Sequence, residues 1–273
     1  MATSPSPAIT LDRVSRAFGG THALDRISLH IPPGQFVAVI GRSGAGKTTL
    51  LRCLAAATPP TEGSIHVGEL DLATLGGPRL RTYRARVAMV YQQFNLVRRL
   101  RVLDNVLAGR LAHQGGWRDR RHWMALVRWF TPAERSIALR CLDHVGLLDR
   151  AWQRADTLSG GEQQRVAIAR ALAQAPSLIL ADEPVASLDA INGTQVLETL
   201  RNTASVAGLT VIATLHHLDY ARRYADRIVA LARGRLVFDG LPAGLTDAGV
   251  SRILDEAART PAPATPAVLA RAG

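Results

Sequence analysis

The first phosphate chemistry in the sequence lies in Gly41-Arg42-Ser43-Gly44-Ala45-Gly46-Lys47-Thr48-Thr49. These residues fit the pattern G-x-x-x-x-G-K-[ST]. In that pattern a glycine turn aims backbone N–H groups at the α- and β-phosphates of a nucleotide, a lysine reaches the β- and γ-phosphates, and a hydroxyl ligates Mg²⁺. Lys47 and Thr48 fill the last two roles. Among 33 lysines and arginines, Lys47 is the only lysine, and a compact ammonium suits a phosphate cradle better than a planar guanidinium. A second phosphate seat is Leu158-Ser159-Gly160-Gly161-Glu162-Gln163-Gln164. Here a serine and two glycines open an amphipathic helix, whose start presents unpaired N–H groups and the positive end of the dipole. The third piece is Leu178-Ile179-Leu180-Ala181-Asp182-Glu183. One of its carboxylates can hold a metal ion and the next can orient a water.

These groups need elements to hold them. Apolar runs at 36–40, 87–91, 178–181 and 210–214 predict buried parallel strands, and in open α/β sheets ligands bind at the carboxyl ends of such strands. The amides Gln92-Gln93 and the histidines His216-His217 follow two of those ends. An amide there can accept a bond from a Mg²⁺-bound water, and a histidine can donate to a γ-phosphate. Further strands are predicted at 9–14, 23–31 and 64–67, with a closing hairpin, 227–231 and 235–238, around Arg233-Gly234. Helices are predicted at 47–57, 102–111, 196–206 and 241–258, and a basic amphipathic helix or turn at 79–86. Another helix starts after Thr131 as N-cap, with Pro132 at its first position, and ends at Gly146.

At 273 residues and 47% hydrophobic, the chain can bury one substantial core. No apolar run approaches the ~18 residues that a membrane span needs, and the N-terminus lacks the basic and apolar regions of a secretory signal. Cys53 and Cys141 read as reduced core residues of a cytoplasmic protein. The net charge of +11 suits nucleic acid, an anionic membrane surface or acidic ligands, and equally an arginine-rich composition. Trp117, Trp123 and Trp129 interleave with arginines over residues 117–130. Three readings stay open there: packing, docking on a membrane partner, or nucleic-acid binding.

The loop at 41–49, the LSGGEQQR stretch at 158–165 and the LILADEP stretch at 178–184, in that order, resemble the ATP-binding-cassette (ABC) ATPases over residues 8–240. The resemblance implies an α/β fold: a P-loop NTPase core with a helical subdomain at about 94–158 and an antiparallel β edge. One domain is expected over 8–258, and composition predicts disordered tails at the Ser/Pro-rich 1–7 and the Ala/Pro-rich 259–273. The resemblance implies ATP and Mg²⁺ as ligands. Phe18 would stack on adenine, and residues 41–49 would cradle the phosphates. Thr48 would bind Mg²⁺ directly, with Asp182 acting through water. Gln92, rather than Gln93, would be the glutamine that joins the nucleotide core to the helical subdomain. Glu183 would be the general base, and His216, rather than His217, would steady it and the γ-phosphate. Ser159, Gly160, Gly161 and Asp189 would serve the nucleotide of a second copy of the chain, the two copies sandwiching two ATP molecules. Where the family more often has proline after Asp189, this sequence has Ala190.

Within that family, single cassettes without long coiled-coil or zinc insertions resemble transporter subunits, and a cassette with no fused membrane domain resembles importers. The implied partners are permease subunits and, indirectly, a periplasmic or lipid-anchored solute-binding protein. The implied place is the cytoplasmic face of the inner membrane, and no nucleic acid is expected. Residues 41–47, 105–111, 153–159, 181–189 and Leu215-His216 resemble the ATPases of bacterial phosphonate importers, as does the long segment between Arg110 and Glu134. The implied solute is a phosphonate, a phosphate ester or phosphite. Polar amino-acid and methionine importers share Gln92-Gln93-Phe94-Asn95-Leu96 and are the alternative.

Overall fold

The computed structural model describes residues 6–113, 130–246 and 249. Its strands are β1 (Ile9–Phe18), β2 (Thr21–Ile31), β3 (Phe36–Ile40), β4 (Glu62–Val67), β5 (Leu70–Asp71), β6 (Val87–Tyr91), β7 (Leu178–Asp182), β8 (Thr210–Thr214), β9 (Arg227–Ala232) and β10 (Arg235–Gly240). Its α-helices are α1 (Lys47–Leu54), α2 (Gly77–Ala85), α3 (Val102–Leu107), α4 (Pro132–His144), α5 (Gly160–Ala173), α6 (Ala190–Ala207) and α7 (Leu218–Tyr224). The strands form two sheets, a four-stranded antiparallel one in the order β2-β1-β4-β5 and a six-stranded one in the order β10-β9-β3-β8-β7-β6. All neighbours in the second sheet are parallel except the β9–β10 hairpin.

The continuous apolar runs follow from burial of the larger sheet on both faces. Side chains alternate across a strand, so each run feeds two cores. From β3, Phe36, Ala38 and Ile40 enter one core and Val37 and Val39 the other. From β7, Ile179 and Ala181 take the first side and Leu178 and Leu180 the second. The first core is closed by α3, α4, α5 and α6, through residues such as Val106, Leu142, Ile168 and Leu197. The second is closed by α1 and the antiparallel sheet, through Leu50, Leu54, Ile9 and Ile27.

Several elements differ from the sequence expectation for local reasons. β1 runs on to Phe18, past the expected end at 14, because it stays paired with β2 as far as Thr21. α6 begins at Ala190, well before the expected 196, because the Asp189 side chain accepts from Asn192 N–H and caps it there. The helix expected at 102–111 divides into α3 and a 3₁₀ stretch, Ala108–His113. At 241–246 there is a 3₁₀ turn, Pro242–Gly244, in place of the start of a helix, since proline and glycine sit where propagation would begin; all but Gly249 of residues 247–258 lie outside the described residues. Ser6, expected in a disordered tail, is buried. Its Oγ donates to the carbonyls of Ser177 and Gly208 and accepts from Thr210 N–H, pinning the chain at the amino ends of β7 and β8. Apart from Ser6 and Pro7, the expected tails lie outside the described residues, as do Trp117, Trp123 and Trp129. The N-cap at Thr131 forms, with a reciprocal capping box to Glu134.

Asp226 ties the sheet to α6. Its Oδ2 accepts from Phe36 N–H at 2.9 Å and from the Arg201 guanidinium. Burial pushes this carboxyl up, but the Arg201 and Phe36 hydrogen bonds and the Arg201 charge more than offset it, so its pKa lies below the ordinary aspartate value. A carboxylate with a depressed folded pKa stabilises fully above its unfolded pKa and loses that contribution as pH falls through the folded one. Asp226→Ala should therefore lower unfolding stability at pH 7 by ~1–3 kcal/mol, the cost of stranding a buried donor. In urea melts, the gap to the parent protein should close as pH falls below the ordinary aspartate value.

Candidate active site

Because β3, β8, β7 and β6 are parallel neighbours, their carboxyl ends line one edge of the sheet in that order. The phosphate loop leaves β3, and His216 follows β8. Asp182 ends β7 with Glu183 next, and Gln92 follows β6 and is exposed. The fold thus brings Lys47, Thr48, Asp182, Glu183 and His216 together from distant parts of the chain.

A hydrogen-bonded path joins all of these but Lys47. Thr48, in the first turn of α1, donates its hydroxyl to Asp182 Oδ1 at 3.1 Å, and Thr214 at the end of β8 donates to the same oxygen at 3.0 Å. The Thr214 Oγ1 also accepts from Glu183 N–H at 2.7 Å. The imidazole of His216 then meets the Glu183 carboxylate, Nε2 to Oε1, at 2.5 Å. Glu183 itself sits at φ 51°, in the left-handed region that a side-chain-bearing residue enters at a cost of about 1–3 kcal/mol. That backbone turn takes the carboxylate off the line of β7. Thr214 is the residue that sequence reasoning passed over, and the signal was a hydroxyl at the carboxyl end of an otherwise apolar strand.

The loop has the shape of a cradle. Lys47 is buried, and its Nζ donates across the loop to the carbonyls of Gly41 at 2.9 Å and Arg42 at 3.2 Å. Burial pulls this ammonium's pKa below the ordinary lysine value, opposed by the charges of Glu183 and Asp182. Two glycines are demanded by close approach: a Cβ on Gly41 would lie 2.3 Å from the Leu231 carbonyl, and one on Gly46 2.3 Å from the Ala23 carbonyl. At Gly44, with φ +79°, a Cβ would meet nothing within 4 Å, and residues 42–44 are exposed, so the loop faces open space. Ala45 is buried, its carbonyl accepting from Gly234 N–H, and Thr49 is half-buried in α1. The oxygen donors of Thr48 and Asp182 suit Mg²⁺, which keeps several waters and takes one or two protein oxygens beside substrate phosphates.

The other expected ligands form two separate groups. Phe18 is half exposed at the end of β1, with the Arg16 guanidinium 4.5 Å from the centre of its ring. Ser159 caps α5 in a capping box: its Oγ accepts from Glu162 N–H at 3.3 Å, and the Glu162 carboxylate accepts from Ser159 N–H at 2.8 Å. That backbone bond, opposed by burial and helped by nearby arginines, keeps the Glu162 carboxyl below the usual range. The first helical N–H groups, on Gly160 and Gly161, have no intrahelical partner. Gly161 is required by packing, since a Cβ there would lie 2.3 Å from Asn192 Oδ1. The start of α5 therefore abuts the first turn of α6, where Asp189 accepts from Asn192 N–H at 2.9 Å and is held below the ordinary carboxylate range chiefly by that bond. Among the described residues, no hydrogen bond joins Ser159, Gly160, Gly161 or Asp189 to the Lys47–His216 group.

The ABC transporter family profile matches residues 24–186 of the chain. Curated relatives include the phosphonates import ATP-binding protein PhnC of Agrobacterium fabrum, 49% identical over 243 residues, covering 89% of this chain and 83% of the relative. The protein of the same name from Rhodopseudomonas palustris is 49% identical over 247 residues, covering 90% and 89%. Among solved structures, the dimeric post-hydrolysis state of the ATP-binding cassette MJ0796 bound to ADP and Pi is similar, with TM-score 0.72 and 32% identity over 86% of this chain and 99% of that one.

Thr214→Val keeps the shape of the side chain and removes the hydroxyl that orients both Asp182 and Glu183. It should reduce nucleotide hydrolysis by about 10–100-fold, the usual scale for groups that orient metal-binding carboxylates. The KM for the nucleotide should stay near its parent value, as read from steady-state kinetics on the purified chain.

Proposed function

The chain belongs to the ABC transporter family, and from that premise we propose that it is the ATP-hydrolysing subunit of a bacterial importer, energising phosphonate uptake through a separate permease and solute-binding protein. The observation that carries the chemistry is the unbroken path Thr48–Asp182–Thr214–Glu183–His216 beside the buried Lys47. The solute is supported by 49% identity, over nine tenths of the chain, to proteins named for phosphonate import.

In this reading the backbone N–H groups of residues 41–49 and the Lys47 ammonium hold the phosphates, and the half-exposed ring of Phe18 stacks on adenine. Thr48 would ligate Mg²⁺ directly, Asp182 would hold it through water, and Gln92 would accept from another of its waters. Bound Mg²⁺ neutralises charge on the β- and γ-phosphate oxygens. Glu183 orients the attacking water and takes its proton, while His216 fixes the Glu183 carboxylate and faces the γ-phosphate. Phosphoryl transfer needs placement and charge neutralisation more than covalent chemistry, and a path of short hydrogen bonds supplies placement.

Ser159, Gly160, Gly161 and Asp189 stand apart from this group within one chain. A second copy, related head to tail by a twofold axis, would bring them onto the γ-phosphate side. Residues 94–158 would move with α5 as a helical subdomain, so that closing on ATP and reopening after hydrolysis drives the permease. The chain would work at the cytoplasmic face of the membrane. Among the described residues no helix is long and apolar enough to cross it.

Glu183→Gln should keep ATP binding while lowering turnover by about 10²–10⁴-fold, and should give an ATP-dependent dimer by light scattering. Near-native turnover would remove Glu183 from its role. For the solute, the chain assembled with its permease in liposomes should show ATPase stimulation by the binding protein loaded with an alkylphosphonate. Stimulation only by the form loaded with a polar amino acid would keep the mechanism and reassign the cargo.

A further inference from the structure

The helix that begins at the Ser159–Gly161 seat also grips the chain on both sides of Gln92. On the near side, Gln164 is fully buried in α5, and its Nε2 donates to the carbonyl of Tyr91, the residue before Gln92, at 3.3 Å. On the far side, Arg170 donates from Nη1 to the carbonyl of Asn95 at 2.6 Å and from Nη2 to that of Phe94 at 3.1 Å. Both Arg170 partners are neutral carbonyls, and burial lowers the pKa of this guanidinium. Asn95 is held at φ 50°, a left-handed conformation within the gripped segment. The Gln164 Oε1 has no hydrogen-bond partner although it is buried. Its amide cannot be turned the other way, since Oε1 would then face the Tyr91 carbonyl with no proton between them.

An ordinary packing helix buries apolar groups against a loop and leaves the loop's carbonyls to water. Here a buried amide and a half-buried cation are committed instead to the backbone carbonyls of Tyr91, Phe94 and Asn95, on either side of one exposed glutamine. We infer that Gln164 and Arg170 are positioning residues that tie Gln92 to the Ser159–Gly161 helix start, so that displacement of that start by ligand is transmitted to Gln92. The inference rests on the nucleotide reading above and adds the two side chains that carry the coupling.

The test uses the full chain. In Gln164→Met and Arg170→Met, kcat should fall about 3–30-fold, the scale seen for residues on coupling networks, with the KM for ATP within about twofold of the parent. Hydrogen exchange in the Glu183→Gln background separates coupling from folding. In the parent, Mg-ATP should protect segments 159–165 and 91–97 together; in the variants, protection at 159–165 should persist while that at 91–97 is lost. Arg170→Lys, which keeps a donor and the charge, should recover most of both effects. Gln164→Leu, which has no donor to give, should behave as Gln164→Met and covers the case in which a methionine variant does not fold. If both segments respond together in every variant and kcat stays within about twofold, the inference is overturned. If the Glu183→Gln parent shows no ATP-dependent protection at either segment, the nucleotide reading fails, and the inference with it.

Discussion

One carboxylate oxygen, Asp182 Oδ1, accepts hydroxyl protons from both Thr48 and Thr214. Those residues stand on α1 and β8, while Asp182 ends β7, so a single acceptor fastens three elements at the point where the phosphate loop meets the sheet. Ladder register makes this possible: Ala181 pairs with Ala213 and Tyr91 with Asp182, which places Thr214 and Gln92 on either flank of the acid. A one-residue slip in either pairing would turn every side chain in that strand to the opposite core. The sheet is buried on both faces, so such a slip is strongly resisted, and the chemical groups inherit that precision.

The same burial accounts for strain at Glu183. A left-handed glutamate survives only where its surroundings over-determine it. Here its N–H is taken by Thr214 and its carboxylate by His216, while Ala181 behind it and Val185 ahead of it pack in the core shared with α3, α4, α5 and α6. The stability of two apolar cores is thus directed onto a few unfavourable backbone angles at the rim. The division of labour also explains why the second group of candidate ligands looks incomplete in one chain. Ser159 and Asp189 serve as helix caps, and their own helices satisfy their side chains. What the start of α5 has left to offer is backbone N–H groups, which suit an anion brought from elsewhere.

Much of this was legible in the sequence because it depends on residue type. The β strands of the larger sheet announced themselves as unbroken apolar runs, which only a two-sided burial produces. The phosphate loop was visible because glycine and lysine have no substitutes there: Gly41 and Gly46 face carbonyls too close for any Cβ. What was missed depends on partners. The start of α6 carries no apolar period, only the Asp189 cap. Ser6 looked like tail because nothing in its neighbours shows that two carbonyls and an N–H await it. Thr214, Gln164 and Arg170 act on a carboxylate or on backbone carbonyls far away in the chain, and since every residue has a carbonyl, no local pattern marks the receiving end. The expected helix from 241 overlooked two residues, Pro242 and Gly244, whose backbone preferences outweigh the apolar period around them.

The phosphate loop has a further property that follows from Lys47 being the only lysine. Its ε-amine is buried, bonded to two loop carbonyls and less basic than usual, so it is sheltered rather than inert. A lysine-selective isotope label in magnetic resonance therefore reports on a single side chain in this protein, and that side chain bonds across the loop between β3 and α1. Here the arginine-rich surface is silent in that channel, and the chain carries a built-in, single-position reporter on the opening and filling of its own phosphate loop.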